Sequence, residues 1–318
     1  MMSSEPNPTF ESAVDAIISG DVVTLGRLLR ENPNLVHERS ARPHRATLLH
    51  YIGANGVEDE RQITPANAVE VTRMLLEAGA EVDAAAEMYG GGSTTLGLVA
   101  SSCHPARAGL QPALIETLLD AGAAIDGLPG TWQPIMAAIV HAHAGAVETL
   151  ARHGAKLNVA SAAAAGRLDV VERFVRNGDA SPVVSGLPKE WKAQMELAFI
   201  WACLFGRLSI AAFLLDRGVD PGARDGQGET GLHWAAHYGR VEMVALLIER
   251  NAPLEVKNNY DGTVLGQTTW AVMNDSHENH AIVIEMLVAA GAKIDQAAYP
   301  TGNERVDEVL RRHGAGKT

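Results

Sequence analysis

Residues Asp225 to Asn258 read D-G-Q-G-E-T-G-L-H-W-A-A-H-Y-G-R-V-E-M-V-A-L-L-I-E-R-N-A-P-L-E-V-K-N, and the spacing of the apolar side chains in this stretch decides the fold. Leu232, Ala235 and Ala236 recur at helical intervals and form one apolar stripe, while Val241, Val244, Leu247 and Ile248 form a second. Two short amphipathic helices cannot bury both of their apolar faces alone. They need neighbours built on the same plan.

Such neighbours recur along the chain, marked by a helix that closes on L-L-x-x-G or a near variant. The marker stands at Leu75-Leu76-Glu77-Ala78-Gly79, Leu118-Leu119-Asp120-Ala121-Gly122, Leu150-Ala151-Arg152-His153-Gly154, Leu214-Leu215-Asp216-Arg217-Gly218 and Leu287-Val288-Ala289-Ala290-Gly291. Degenerate copies occupy Leu28–Asn32, Phe174–Gly178 and Leu310–Gly314. The closing glycine has a mechanical reason, because a helix that ends in a left-handed residue is least strained when that residue carries no Cβ.

The 225–258 unit, with Thr230-Gly231-Leu232-His233 opening its first helix, resembles the ankyrin repeat, a β-turn plus two antiparallel helices of about 33 residues. Approximate openings occur at Thr47-Leu48-Leu49-His50, Gln133-Pro134-Ile135-Met136 and Thr263-Val264-Leu265-Gly266. The resemblance extends from Phe10 to Ala315. It implies an all-α ankyrin-repeat solenoid of about eight repeats with a C-terminal half-repeat as cap. Irregular repeats of this kind are similar to those of bacterial ankyrin proteins of unassigned function.

Residues 1–8 are expected to be loosely ordered and residues 9–315 to form one elongated repeat domain. Three helix-helix links are enlarged, near 57–67, 104–111 and 273–280. The stretch from Gly154 to Gly166 is instead shortened, so its β-turn arm is nearly absent. An irregular joint with Pro182, Pro188 and Trp191 follows near 178–195, the place where a bend or weak point is expected.

The chain is 47% hydrophobic but only 5% aromatic, and its formal net charge is −12. With basic residues scattered and a pI near 5.4, nucleic acid is not expected as a partner, since phosphate binding depends on clustered Lys and Arg. No apolar run is long enough for a membrane span and Met1–Pro8 has no signal-peptide pattern, so a cytoplasmic protein is expected. The two cysteines, Cys103 and Cys203, are expected as buried free thiols.

Several apparent chemical motifs fall in the wrong context. Gly226-Gln227-Gly228-Glu229-Thr230-Gly231 matches G-x-G-x-x-G, but a dinucleotide site needs a preceding strand in a βαβ unit. Gly314-Ala315-Gly316-Lys317-Thr318 ends like a phosphate-binding loop, yet no helix follows it. Among twelve histidines, His50 and His233 occupy the histidine slot of the repeat, where the resemblance implies hydrogen bonds between neighbouring turns. His141 and His143, two apart on an expected helix, should point in different directions. His277 and His280, with Asp275 and Glu278, form the one local cluster of ligand types, without a fixed third ligand. No catalytic constellation can be read from spacing. The expectation is therefore a non-enzyme that needs no metal or cofactor.

The resemblance also implies where a partner would dock: on the concave face made by β-turn tips and inner-helix ends. The turn tips supply Met88, Tyr89, Trp132, Gln227, Glu229, Asn259 and Tyr260. The inner-helix ends supply Ala54, Asn55, Ser101, Ser102, Val140, His141, Leu204, Phe205, His237 and Tyr238. Scarce aromatics gather on this set, and aromatics are favoured interface anchors. Trp201, Trp234 and Trp270 are expected in the core between repeats. The function expected is protein–protein interaction with a partner that carries net positive charge. Alternatives are a small-ligand, metal or catalytic site among the histidines, and a self-associating scaffold.

Overall fold

The computed structural model describes residues 7–131, 133–177, 188–274 and 276–316. The chain divides into two compact units, Met1–Lys156 and Leu157–Thr318. The division falls ahead of the interval 178–195 in which the sequence places an irregular joint, and of that interval 178–187 lies outside the described residues.

The first unit begins earlier than its composition suggests. Asn7 caps α1 (Pro8–Ser19) by accepting a hydrogen bond from the Thr9 N–H at 3.0 Å, and Pro8 is the first helical residue, where its missing N–H costs nothing. The helices that follow are α2 (Val22–Glu31), α3 (Ala68–Glu77), α4 (Thr95–Ser101), α5 (Cys103–Arg107), α6 (Gln111–Asp120), α7 (Pro134–Val140) and α8 (Ala144–Arg152). A 3-10 helix, Leu48–Gly53, takes the place of an α-helix after Thr47. The inner row packs in the order α1, Leu48–Gly53, α4, α7, and the outer row in the order α2, α3, α6, α8. Leu25, Leu49, Leu75, Leu96, Leu114 and Leu118 between the rows are fully buried, and each contributes about 1.5–3 kcal/mol relative to exposure.

The second unit repeats the plan with α9 (Val159–Ala164), α10 (Leu168–Asn177), α11 (Trp191–Leu204), α12 (Leu208–Asp216), α13 (Gly231–His237), α14 (Val241–Glu249), α15 (Val264–Asn274) and α16 (His280–Ala289), closed by α17 (Glu304–Arg312). The inner row is α9, α11, α13, α15. The outer row is α10, α12, α14, α16, with α17 packed on α16. The stripe Leu232, Ala235, Ala236 is fully buried, and in α14 the buried centre is Met243, Val244 and Leu247, with Val241 and Ile248 packed at its edge. Helix ends close as their glycines require: Gly218 after α12 sits at φ +83°. Among the described residues the chain is all helical, with two isolated bridges, Ala86 to Ser93 and Arg224 to Thr230, at the bases of turns.

Each enlarged link has its own solution. Residues 57–67 carry a 3-10 turn, Asp59–Arg61, that folds back onto α1. Residues 104–111 include most of α5. In the third, α15 runs eleven residues where α13 runs seven, so part of the extra length is helical. After the shortened arm, α9 starts at Val159 directly beyond Lys156, with Asn158 as its cap.

Candidate recognition surface

In the second unit the turn tips repeat with a period of 33 residues. Asp225 Oδ1 accepts hydrogen bonds from the N–H groups of Gln227 and Glu229, both at 2.9 Å. Asn258 Oδ1 accepts from those of Tyr260 and Gly262, at 3.0 and 2.9 Å. The two tips are stitched together, since Asn259 donates from its backbone N–H to the Gln227 carbonyl at 2.9 Å and from its side chain to that of Gly226 at 3.1 Å. Gly226–Gly231 is thus a turn finger, and among the described residues no strand precedes it. Gln227, Asn259 and Tyr260 are exposed, Tyr260 to 77%.

Behind the tips lies a row of rings. Trp234 Nε1 donates to Asp225 Oδ2 at 2.8 Å, and Trp234 stacks beside Tyr238 with centroids 6.3 Å apart. Tyr238 meets His237 edge to face at 4.8 Å and His277 at 6.2 Å. His237 and Tyr238 are half-buried. One inner helix further on, Trp270 is 56% and Met273 54% exposed. The expectation that Trp270 lies in the core is overturned. Counting from Thr263 as from Thr230, Trp270 takes the place of His237, an inner-helix end that faces away from the outer row. Trp201 and Trp234, which share a register, are half-buried against the core.

Six expected surface residues are inside: Ala54, Ser102 and Leu204 at inner-helix ends, and Met88, Phe205 and Glu229. Met88 is 3% exposed, its sulfur held against the turn at Gly56, where a Cβ would meet Met88 Sδ at 2.7 Å. Phe205 is 5% exposed; with no hydroxyl to solvate, it buries its ring fully where Tyr238, at the matching position, stays half out. Glu229 is 4% exposed and turned inward to accept from Asn258 Nδ2 at 3.2 Å. Burial, reinforced by the Asp225 carboxylate, pushes the Glu229 pKa up. Trp132 and Asp275 lie outside the described residues.

In the first unit Tyr89, 74% exposed, donates its hydroxyl to Asn55 Oδ1 at 2.5 Å, and Asn55 Nδ2 donates to Ser101 Oγ at 2.9 Å. Three positions read from sequence as one surface are therefore joined. With Val140, 59% exposed, and His141 they flank a cavity of about 650 Å³. His141 and His143 do not diverge. They lie in the turn after α7, where Ala142 at φ +55° brings both rings to the same side, 6.0 Å apart and within 17° of parallel.

Three further histidines, His50, His233 and His280, share a common structural pattern. His50 Nδ1 accepts from the Thr47 N–H at 3.1 Å while Nε2 reaches the Ser93 carbonyl at 3.2 Å. His233 does the same with Thr230 and Gly262, at 3.2 and 3.3 Å. Burial pushes both imidazoles down to about 4. His280 is wholly buried and copies the arrangement, with Nδ1 accepting from the His277 N–H at 3.1 Å and Nε2 on the His237 carbonyl at 2.8 Å. Both of its ring nitrogens are committed, so His280 is not a metal ligand. Among the described residues no three His, Cys, Asp or Glu side chains converge as a metal site. Cys203 is buried and its thiol pKa is pushed up by desolvation, whereas Cys103, expected buried, is exposed at the start of α5 because that helix stands outside the inner row.

These features define a helical repeat protein that displays side chains from turn tips and inner-helix ends. Residues 199–248 match the family model of ankyrin repeats (many copies), so ankyrin repeats are present in the second unit. No curated protein matches it. No helix among the described residues is long and apolar enough to cross a membrane.

Proposed function

We propose that this chain is a non-catalytic recognition module of about eight ankyrin repeats and a closing half-repeat, α17, that binds a protein partner on the concave faces of its units. Ankyrin repeats are generally protein-interaction modules and typically non-catalytic. The observation that carries the reading is where large apolar side chains meet solvent. Tyr89, Val140, Tyr260, Trp270 and Met273 are all more than half exposed, and all sit at turn tips or in the C-terminal halves of inner helices. Exposed apolar side chains gathered on one kind of surface mark interaction sites, and aromatic anchors dominate their energetics. The outer helices expose Val23, Leu208 and Ile282 singly, which is a poor basis for a self-associating scaffold.

The partner's net charge is positive in this reading, because a net charge of −12 steers basic surfaces and speeds their association. The test is affinity capture from native host cells with the wild-type chain and a Tyr89→Ala/Tyr260→Ala/Trp270→Ala variant, followed by binding kinetics with the captured protein. A partner lost by the variant, with association slowed by salt, supports the reading. Equal capture by both chains refutes it.

A further inference from the structure

The cavity of the first unit has a chemistry that the recognition of a basic protein does not use. Residues 1–156 hold eighteen acidic against ten basic side chains, yet among the described residues no Asp, Glu, Lys or Arg lines the cavity. Its ionisable groups are Tyr89, Cys103, His104, His141 and His143. A buried cation there would have no counter-charge, and an unpaired buried charge is costly. Three imidazoles, His104, His141 and His143, stand on its wall instead, and an imidazole is a side chain that can supply the opposite charge.

The walls are set by the chain. Tyr89, Gly90, Gly91 and Gly92 all have positive φ, at 50°, 94°, 96° and 76°, and a Cβ on Gly92 would meet Thr131 Cγ2 at 2.9 Å. The loop approaches the next turn this closely because glycine stands there. Opposite it, His143 is fixed by its Nε2 contact with the Ser101 carbonyl at 3.2 Å, and His141 lies parallel to it and exposed. Leu98, Val140 and the Tyr89 ring give the cavity an apolar side.

We propose that this cavity is a binding site for a small organic carboxylate, with the anion on the His104, His141 and His143 side and the apolar body against Leu98, Val140 and Tyr89. The volume, about 650 Å³, falls in the range of small-molecule sites. The imidazole pair is the selecting element. In the free protein burial holds the pKa of His143 down, and the neighbouring His141 adds to this; a bound anion reverses the preference and draws in a proton. The helices around the pair carry further ionisable groups outside the cavity lining: Arg107 on α5, Glu148 and Arg152 on α8, and Glu116 on α6, which is bonded to Arg152 at 2.8 Å.

The test is titration calorimetry of the full chain with sodium benzoate, benzamide and benzylamine at pH 6 and pH 8, each in two buffers of different ionisation enthalpy. Benzoate should bind at least about tenfold more tightly at pH 6 than at pH 8, with net proton uptake, and more tightly than either other probe. His143→Gln should remove most of the pH dependence and His141→Gln should reduce it, with circular dichroism confirming both folds. Ile282→Ala, exposed on the outer helix α16 of the second unit, should leave benzoate binding unchanged. No benzoate binding at pH 6, equal affinity for benzamide, or a pH dependence that survives both histidine variants would each overturn the proposal.

Discussion

The Nε2 of His280 lies 2.8 Å from the carbonyl oxygen of His237, forty-three residues earlier, and so ties the start of the outer helix α16 to the end of α13, the inner helix of the preceding helix pair. The same relation recurs with other chemistry. Ser102 Oγ donates to the Ala54 carbonyl at 3.1 Å, His143 Nε2 contacts that of Ser101 at 3.2 Å, and Arg207 Nε donates to that of Ala164 at 3.0 Å. A helix end leaves carbonyls without intrahelical partners; here the next helix pair satisfies one of them each time, within a unit.

His280→Ala should therefore destabilise the second unit. It removes the donor to the half-buried His237 carbonyl, a loss of about 0.5–1.5 kcal/mol, and opens a cavity where the ring was wholly buried. Urea unfolding followed by Trp fluorescence measures this. His277→Ala, which keeps its backbone N–H on His280 Nδ1, should cost much less.

Acid should weaken both units through His50 and His233. Each has an ordinary pKa of 6.5 that burial lowers to about 4 in the fold, so between these values the unfolded chain binds more protons than the folded one. Stability then falls as pH drops from about 6.5 toward 4 and is restored above 6.5. A full shift of this size corresponds to at most about 3 kcal/mol per histidine. Chemical denaturation at pH 7.5 and 5 should show the loss, and His50→Gln should flatten it in the first unit while lowering stability at both pH values.

Glu229 has the opposite sign. Its folded pKa is raised by burial and by Asp225, so ionisation costs stability above that pKa and costs nothing below the ordinary value of 4.5. Its Oε2 is buried without a hydrogen-bond partner. Glu229→Gln should raise the unfolding midpoint at pH 7 and change it little near pH 4; a lower midpoint at pH 7 would show that the carboxylate is needed by the Asn258 turn.

Much of this architecture is legible in the sequence because it is periodic. Leu232, Ala235 and Val244 repeat at helical spacing, and the glycine after each closing helix is demanded by backbone geometry. The surface is less legible because exposure depends on one or two neighbours. Met88 is inside only because Gly56 leaves room for its sulfur, and Glu229 only because Asn258 offers a donor. The parallel rings of His141 and His143 depend on a left-handed alanine, which no rule of composition anticipates. Trp270 had a readable signal, since aligning Thr263 with Thr230 puts it level with His237, a position already assigned to the surface.

The enlarged link at 57–67 is anchored by charge. Arg61 bonds Glu11 at 2.5 Å and Asp15 at 3.1 Å, while Arg42 bonds Glu11 at 2.6 Å and also pairs with Glu58. Burial opposes ionisation of Glu11, but its bonds to Arg42 and Arg61 outweigh it and hold the pKa down. Arg61→Ala should release the link from α1, and limited proteolysis should then cleave near 57–67 faster than in wild type. Unchanged cleavage would show that the remaining packing holds the link.

The last prediction separates anchors from packing on the second unit. Trp270 and Tyr260 are mostly exposed, and surface truncations away from core, caps and charge networks usually change stability by no more than about 0.5 kcal/mol. Trp234 is half-buried, holds Asp225 through Nε1 and packs on the core, and truncating such a Trp should cost more than about 1 kcal/mol. Trp270→Ala and Tyr260→Ala should therefore leave the unfolding midpoint nearly unchanged. Each should weaken partner binding by about 2 kcal/mol if it is an anchor, mainly through faster dissociation. Trp234→Ala should lower the midpoint whether or not a partner is present. If Trp270→Ala instead unfolds as early as Trp234→Ala and binds normally, the ring at 270 is packing and the recognition surface lies elsewhere.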